Sequence, residues 1–390
     1  MKNFEFYSPT KIYFGSGREL EVGRILKEHD AHKVLIVIGQ NSVYKSGLLS
    51  KVTSSILENG LEYVVIAGVR ANPTFELVSQ GVELAEANNI DFILPIGGGS
   101  VIDTAKCIAV NIGYNGDVKD FNYHITPVSN ALPIGVVLTI SAAGSELSNS
   151  CVIQDDETGT KVGFNSDLIR PVFAIEDPEL TISVSKEQTA YGVVDIMMHS
   201  LERYFCESGE YELADEFALG LIKNVADVGL LCYNNPTNYD YRARLMLASS
   251  FSHNGITGIG KPFMMAVHQL EHPVSGMLPH IAHGCGLAVL FPAWATYYLP
   301  YECEKLAKLG RRVFNLNIEN TLECAQETIN QFKSYFKKLG MPSSLHELGI
   351  KESDIEELTN KVTRKGTRII PHPQKNMDEE VVRAIYKSCY

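Results

Sequence analysis

The chain has no CxxC pair, no lysine- and arginine-rich run, no unbroken apolar stretch of membrane length and no GxGxxG sequence. Each absence speaks against a class of protein. The eight cysteines (Cys107, Cys151, Cys206, Cys232, Cys285, Cys303, Cys324 and Cys389) are scattered, which argues against a zinc ribbon or a disulfide framework. A net charge of −12 without a basic run argues against nucleic acid or an anionic membrane as the main partner. The longest apolar stretch, GLAVLFPAWATYYL, is interrupted by Pro292 and is shorter than the roughly 20 residues of a membrane span. The N-terminal MKNFEFYSPT lacks the apolar core of a signal peptide. A soluble, cytoplasmic protein is therefore expected. No internal repeat or low-complexity tract is present. What remains is ordinary globular composition, 45% hydrophobic and 21% charged, in 390 residues, which is room for two domains.

The two halves differ in texture. In the first, short apolar runs alternate with helical patterns. KVLIVIG (33–39), LEYVVIAGV (61–69), DFILPIGGG (91–99) and LPIGVVLTI (132–140) read as strands. SGLLSKVTSSILEN, TFELVSQGVELAEANN and SVIDTAKCIAV read as the helices between them. This alternation predicts a parallel sheet with helices on both faces, and continuous apolar strands fit a sheet buried on both sides. After DPEL (177–180) long amphipathic segments take over, such as ADEFALGLIKNVADVGLL and TLECAQETINQFKSYFKKLG. The expected organisation is an α/β domain over 1–182 and an all-helical domain over 183–390.

Five of the eleven histidines fall between 253 and 283. Asp195 and His199 are four residues apart, as are His268 and His272, so each pair shares a helix face. Carboxylate and imidazole together make a mixed oxygen and nitrogen ligand set suited to Fe(II) or Zn(II). A single histidine is more often a hydrogen-bonded core residue; two helical pairs plus a third cluster around His283 favour a metal centre. Cys285, just after His283, reads as a buried core thiol. In the first half, ILPIGGGSVIDTAK sets three glycines between a strand and a helix, where a backbone can approach a pyrophosphate at a helix N-terminus. The competing reading is a tight strand-to-helix turn. With metal candidates in one half and glycine-rich turns in the other, a cleft between domains is the expected active site.

GGGSVIDTAK (97–106), LTISAAGSE (138–146), DPELT (177–181), EQTAYGVVDIMMH (187–199) and HQLEHPVSGMLPHIAHGCGLAVLFPAW (268–294) occur in that order. Together with YSPTKIYFGSG (7–17) they resemble the iron-containing, group III alcohol dehydrogenase family. The nearest branch is that of butanol dehydrogenase-like, NADPH-dependent aldehyde reductases. The resemblance spans nearly the whole chain and implies the dehydroquinate synthase-like architecture. It implies metal ligation by Asp195, His199, His268 and His283, with His272 beside nicotinamide and substrate as a catalytic residue outside the metal shell. It implies nucleotide contacts from Gly39, Gln40, Asn41, Ser42, Asn72, Gly97, Gly98, Gly99, Ser100, Asp103, Thr139, Lys161 and Leu180. The chain departs from the family pattern at Ala143, where many members have threonine. The spacing from His272 to His283 also makes His280 a competitor for the last ligand position; HGCGLAVLFPAW matches the family from His283 onward, which favours His283.

The implied chemistry is hydride transfer between NAD(P)(H) and a primary alcohol or aldehyde such as butanol or butanal. One divalent metal, Fe(II) or Zn(II), acts as Lewis acid, and His272 is available as a proton relay near neutral pH. The turn after the first strand of the reading, Gly39-Gln40-Asn41-Ser42, has no acid to hold a ribose 2′-hydroxyl. NADP(H) is therefore favoured over NAD(H), with Ser42 and Lys45 as candidate 2′-phosphate contacts. A glycerol dehydrogenase-like enzyme is an alternative within the fold. A dehydroquinate synthase-like lyase would need a basic pocket for its phosphate, and the helical half shows no Arg/Lys cluster around its histidine motifs. A metal-stabilised binding protein would need no cofactor turn. The expected partners are a small alcohol or aldehyde and a second copy of the chain in a homodimer.

Overall fold

The computed structural model describes residues 3–207, 209, 211–262 and 264–390. It divides into two compact units, with the boundary between Ser183 and Val184. Residues 3–6, which sequence reading assigns to the first half, group instead with the helical unit. There the Phe4 ring lies beside Gly260 and the Phe6 ring beside Gly255.

The α/β unit is built on strands β1 (Lys11–Phe14), β2 (Lys33–Gly39), β3 (Glu62–Val69), β4 (Phe92–Gly97), β5 (Gly135–Leu138), β6 (Ser150–Asp155), β7 (Thr160–Asn165) and β8 (Phe173–Glu176). Six of them form one sheet in the order β1-β8-β5-β4-β2-β3, and every pairing in it is parallel. Helices α1 (Val22–Glu28), α2 (Ser42–Lys45), α3 (Leu48–Glu58), α4 (Phe75–Ala87) and α5 (Gly99–Asn111) complete the unit's helical set. Val34 to Ile38 of β2 are all fully buried, so both faces of that strand are covered. This is why KVLIVIG reads as a continuous apolar run rather than an alternation. The four strands expected from sequence correspond to β2, β3, β4 and β5. The structure adds β1 and β8, of four residues each, and the antiparallel hairpin β6–β7. KIYF and FAIE are too short to show a period, and FAIE ends in the buried Glu176.

The second unit is mostly helical: α6 (Lys186–Phe205), α7 (Glu212–Asn234), α8 (Tyr239–His253), α9 (Ala266–Met277), α10 (His283–Val313), α11 (Thr321–Lys338), α12 (Ile355–Thr363) and α13 (Glu379–Ser388). Beyond them, one isolated bridge joins Ile370 and Met377. Among the described residues no helix is long and apolar enough to cross a membrane. Helix α6 starts at Ser185, whose hydroxyl accepts from the Gln188 amide at 3.2 Å. From Val193 to Phe205 every residue of α6 is buried, so it is the central helix of the unit, covered all round. Asp195, His199, Ser200, Glu202 and Arg203 are the polar exceptions in that stretch, and buried polar groups need partners.

Two glycines bring the other site-bearing helices against α6 and each other. A Cβ on Gly284 would stand 2.5 Å from the Tyr191 carbonyl oxygen in α6, and one on Gly286 would stand 2.6 Å from Cγ of Glu271 in α9. The first turn of α10 can therefore lie directly on both helices only because HGCG carries glycine at these places. Backbone atoms at Tyr191 cannot swing aside as a side chain can. Gly284→Ala should therefore destabilise the helical unit by about 1–3 kcal/mol or more, the usual range for overpacking, and loosen the first turn of α10. Urea denaturation measures this; an unchanged midpoint would show that the close approach is dispensable.

Candidate metal centre and nucleotide-binding loops

Asp195 and His199 lie one turn apart on α6, His268 is in the first turn of α9, and His283 is the first residue of α10. The helices bring these residues to one point. His199 Nδ1 is 3.7 Å, His268 Nε2 3.5 Å and His283 Nε2 4.0 Å from a single atom, Asp195 Oδ1. The His199 and His268 rings are 4.7 Å apart and those of His268 and His283 5.1 Å. Asp195, His199 and His268 are each about 95% buried. Yet Asp195 Oδ1, His199 Nδ1 and His268 Nε2 make no hydrogen bond. Three buried, unpaired atoms facing one another would be costly on their own, and a cation between them removes the cost. Two ligands each about 2.1 Å from a tetrahedral ion stand roughly 3.4 Å apart, close to the spacings found. The donor set therefore fits a divalent ion.

The residues behind these ligands fix which atoms face inward. Glu202, one turn below His199 on α6, contacts Nδ1 of His268 through Oε2. Its Oε1 accepts from the Val267 and His268 amides, capping the N-terminus of α9. Glu271 on α9 contacts Nδ1 of His283 in the same manner. With Nδ1 of both rings donating to a carboxylate, each Nε2 lone pair is left for a metal, the carboxylate–histidine–metal arrangement. Burial opposes a charge on His268, but Glu202 and Asp195 outweigh it and push its pKa up to about 10 without an ion. Burial, and then the nearby His253 and His268 rings, push His199 well below the usual histidine range. Arg203 completes the cluster: it donates to the His199 carbonyl at 2.8 Å, and its second terminal nitrogen is 3.1 Å from His253 Nδ1.

Sequence reasoning missed Glu202 and Glu271. Both follow a candidate ligand histidine by three residues on the same helix, and that was the available signal. His272 is partly exposed, with its ring 5.9 Å from His283 and 6.5 Å from His268. Glu271, His272 and His283 also offer atoms that could hold an ion. Because Glu271 is already engaged with His283 Nδ1, this trio reads better as the outer support of the first cluster. His280 is exposed. Cys285 lies against the helical core, where burial pushes its thiol up to about 11.

In the α/β unit, most of the nucleotide candidates sit at the carboxyl ends of parallel strands. Gly39 ends β2 and is followed by the exposed Gln40, Asn41 and Ser42. Asn72 follows β3 with φ 58°, a left-handed conformation uncommon for a side chain. Gly97 ends β4, Gly98 and Ser100 flank the first residue of α5, Gly99, and no side chain caps that helix. Thr139 follows β5, and Leu180 lies in the turn after β8. Strand order reverses between β2 and β4, and ligands of open α/β sheets bind at such a reversal. Gly98 and Gly99 also have a packing reason: a Cβ there would stand 2.2 Å from Ile140 or 2.9 Å from Ala143. Lys161 is on β7. Asp103, on α5, accepts from the Ser145 hydroxyl at 2.7 Å and the Val152 amide at 3.0 Å, so both its oxygens are engaged within the protein.

If the four-ligand cluster is correct, His283→Ala should lose its metal and His280→Ala should keep it, as read by elemental analysis. Glu202→Gln should keep the fold but weaken metal affinity about 10–100-fold, measured by competition with a chelator. Metal retained in His283→Ala and lost in His280→Ala would reverse the assignment.

Known proteins resemble this chain over its whole length. Residues 9–178 match the iron-containing alcohol dehydrogenase family, and residues 189–390 match the C-terminal region of the Fe-containing alcohol dehydrogenase family. The chain is 35% identical over 390 residues to NADH-dependent butanol dehydrogenase A of Clostridium acetobutylicum, covering 100% of both chains. It is 32% identical over 392 residues to the NADPH-dependent aldehyde reductase YqhD of Escherichia coli, again covering 100% of both. The crystal structure of NADH-dependent butanol dehydrogenase A from Thermotoga maritima superposes with a TM-score of 0.95 at 34% identity, covering 100% of this chain and 99% of that one. The chain belongs to the iron-containing alcohol dehydrogenase family.

Proposed function

We propose that the protein transfers a hydride between NADP(H) and a primary alcohol or aldehyde, such as butanol and butanal, with the help of a divalent metal. The observation that carries this reading is the convergence of three imidazole nitrogens on Asp195 Oδ1. A bound Fe(II) or Zn(II) supplies a Lewis acid for the substrate oxygen, and the nicotinamide supplies or accepts the hydride. Asp195, His199, His268 and His283 bind and orient. Burial of the first three keeps water from their side of the cluster, while the His283 side chain, 26% exposed, and the partly exposed His272 mark its accessible side. Aldehyde reduction consumes one hydride and one proton. His272 is assigned the proton, because its ring neighbours the ligand rings of His268 and His283.

The cofactor assignment rests on the loop after β2. Gln40, Asn41 and Ser42 are exposed and none is acidic, so nothing there holds a 2′-hydroxyl or repels a 2′-phosphate. Ser42 and the exposed Lys45 are the candidate phosphate contacts. The cytoplasmic homodimer expected from sequence belongs to the same proposal.

With butanal as substrate, kcat/KM should be higher for NADPH than for NADH, and Asn41→Asp should shift the preference toward NADH. A clear NADH preference in the unaltered protein overturns the cofactor assignment; metal-loaded protein that oxidises neither cofactor with butanal overturns the whole reading. His272→Ala should keep its metal and lower kcat by about 10²–10⁴-fold, the usual cost of losing a positioned acid or base. An unchanged kcat across pH 6–9, a window around the ordinary histidine pKa of about 6.5, would leave His272 a packing role.

A further inference from the structure

Lys106, in the middle of α5, is fully buried. Its ammonium lies within hydrogen-bond distance of five oxygens: the Ser145 carbonyl at 2.7 Å and hydroxyl at 2.9 Å, the Ser148 carbonyl at 2.9 Å and hydroxyl at 3.2 Å, and the Ser150 carbonyl at 2.9 Å. An ammonium has only three N–H bonds, so this shell resembles the one a protein builds around a monovalent cation. Asp103, three residues earlier on α5, takes hydrogen bonds from the Ser145 hydroxyl and the Val152 amide. One helix thus grips residues 145–152 with charges of both signs. Burial lowers the Lys106 pKa to about 8, against the pull of Asp103, so a charge is held here that an apolar side chain of equal length would spare. The oxygens account for it. Of the three carbonyls, that of Ser148 lies between the 3-10 turn 145–147 and β6, and a carbonyl outside a sheet ladder needs another donor.

The gripped segment continues from the turn after β5, whose Ile140 and Ala143 abut Gly98 and Gly99 at the start of α5. We propose that Lys106 is a positioning residue for the nucleotide: a built-in cation that holds residues 139–150 at the spacing from the α5 N-terminus that a pyrophosphate requires. This rests on the dinucleotide reading of the α/β unit.

The test uses the full-length, metal-loaded protein, with NADPH affinity read by fluorescence titration and amide hydrogen exchange read over residues 145–152. Lys106→Met should exchange faster there and bind NADPH about tenfold more weakly, the scale of lost charge-assisted hydrogen bonds. Metal content, set in the other unit, should not change. Lys106→Ala should show the same defects, relieved by ammonium chloride but not by tetramethylammonium chloride at equal ionic strength. Rescue by the small cation separates positioning by charge from simple packing. Lys106→Met with unaltered NADPH affinity overturns the proposal, as do Lys106→Ala defects that ammonium leaves in place. Should Lys106→Met not fold, the Lys106→Ala pair decides alone. Failure of the unaltered chain to bind either nucleotide would sink the dinucleotide reading and this proposal with it; binding that is indifferent to Lys106 sinks this proposal only.

Discussion

Asp195 Oδ1 is the atom on which the helical unit depends. It has three imidazole nitrogens within 4.0 Å and no hydrogen bond of its own. Asp195, Glu202 and Glu271 are buried carboxylates, and Arg203 is the buried guanidinium beside them. A divalent cation facing Asp195 Oδ1 would compensate buried acidic groups of this kind. Without it, buried charge of this kind is expensive. The close helix contacts at Gly284 and Gly286 serve the same point, since they bring His283 and Glu271 to it.

The α/β unit solves a different problem. Its strands β2, β4, β5 and β8 are buried along nearly their whole length, so the polar backbone they can offer a ligand lies at their ends. The loops after β2, β3, β4, β5 and β8 lie on the same, carboxyl edge of one parallel sheet. Glycines at 97–99 let the start of α5 lie against the turn after β5, and Asp103 and Lys106 hold the continuation of that turn from below. Packing and ligand approach are therefore not competing explanations for GGGS. The same missing side chains that permit the packing would also let a pyrophosphate approach.

Much of this was legible in the sequence, for identifiable reasons. KVLIVIG and DFILPIGGG announce buried strands because burial on both faces leaves no polar alternation to obscure them. The four-residue spacing of Asp195 and His199 places both on one helix face. The same spacing puts His268 and His272 on one face without distinguishing them, whereas His268 Nε2 is 3.5 Å from Asp195 and the His272 ring is partly exposed. Only the family resemblance separated their roles. Glu202 and Glu271 escaped notice because each orients a histidine on another helix, and spacing along one helix does not reveal contacts across two. β1 and β8 escaped because four residues carry no period.

The most direct test is the position of the ion. A crystal of the protein grown with zinc, measured at the zinc absorption edge, should show one anomalous peak bonded to Asp195, His199, His268 and His283 at about 2.0–2.2 Å, with Glu202 and Glu271 hydrogen-bonded behind it. A peak instead among Glu271, His272 and His283, or none at Asp195, would contradict the account.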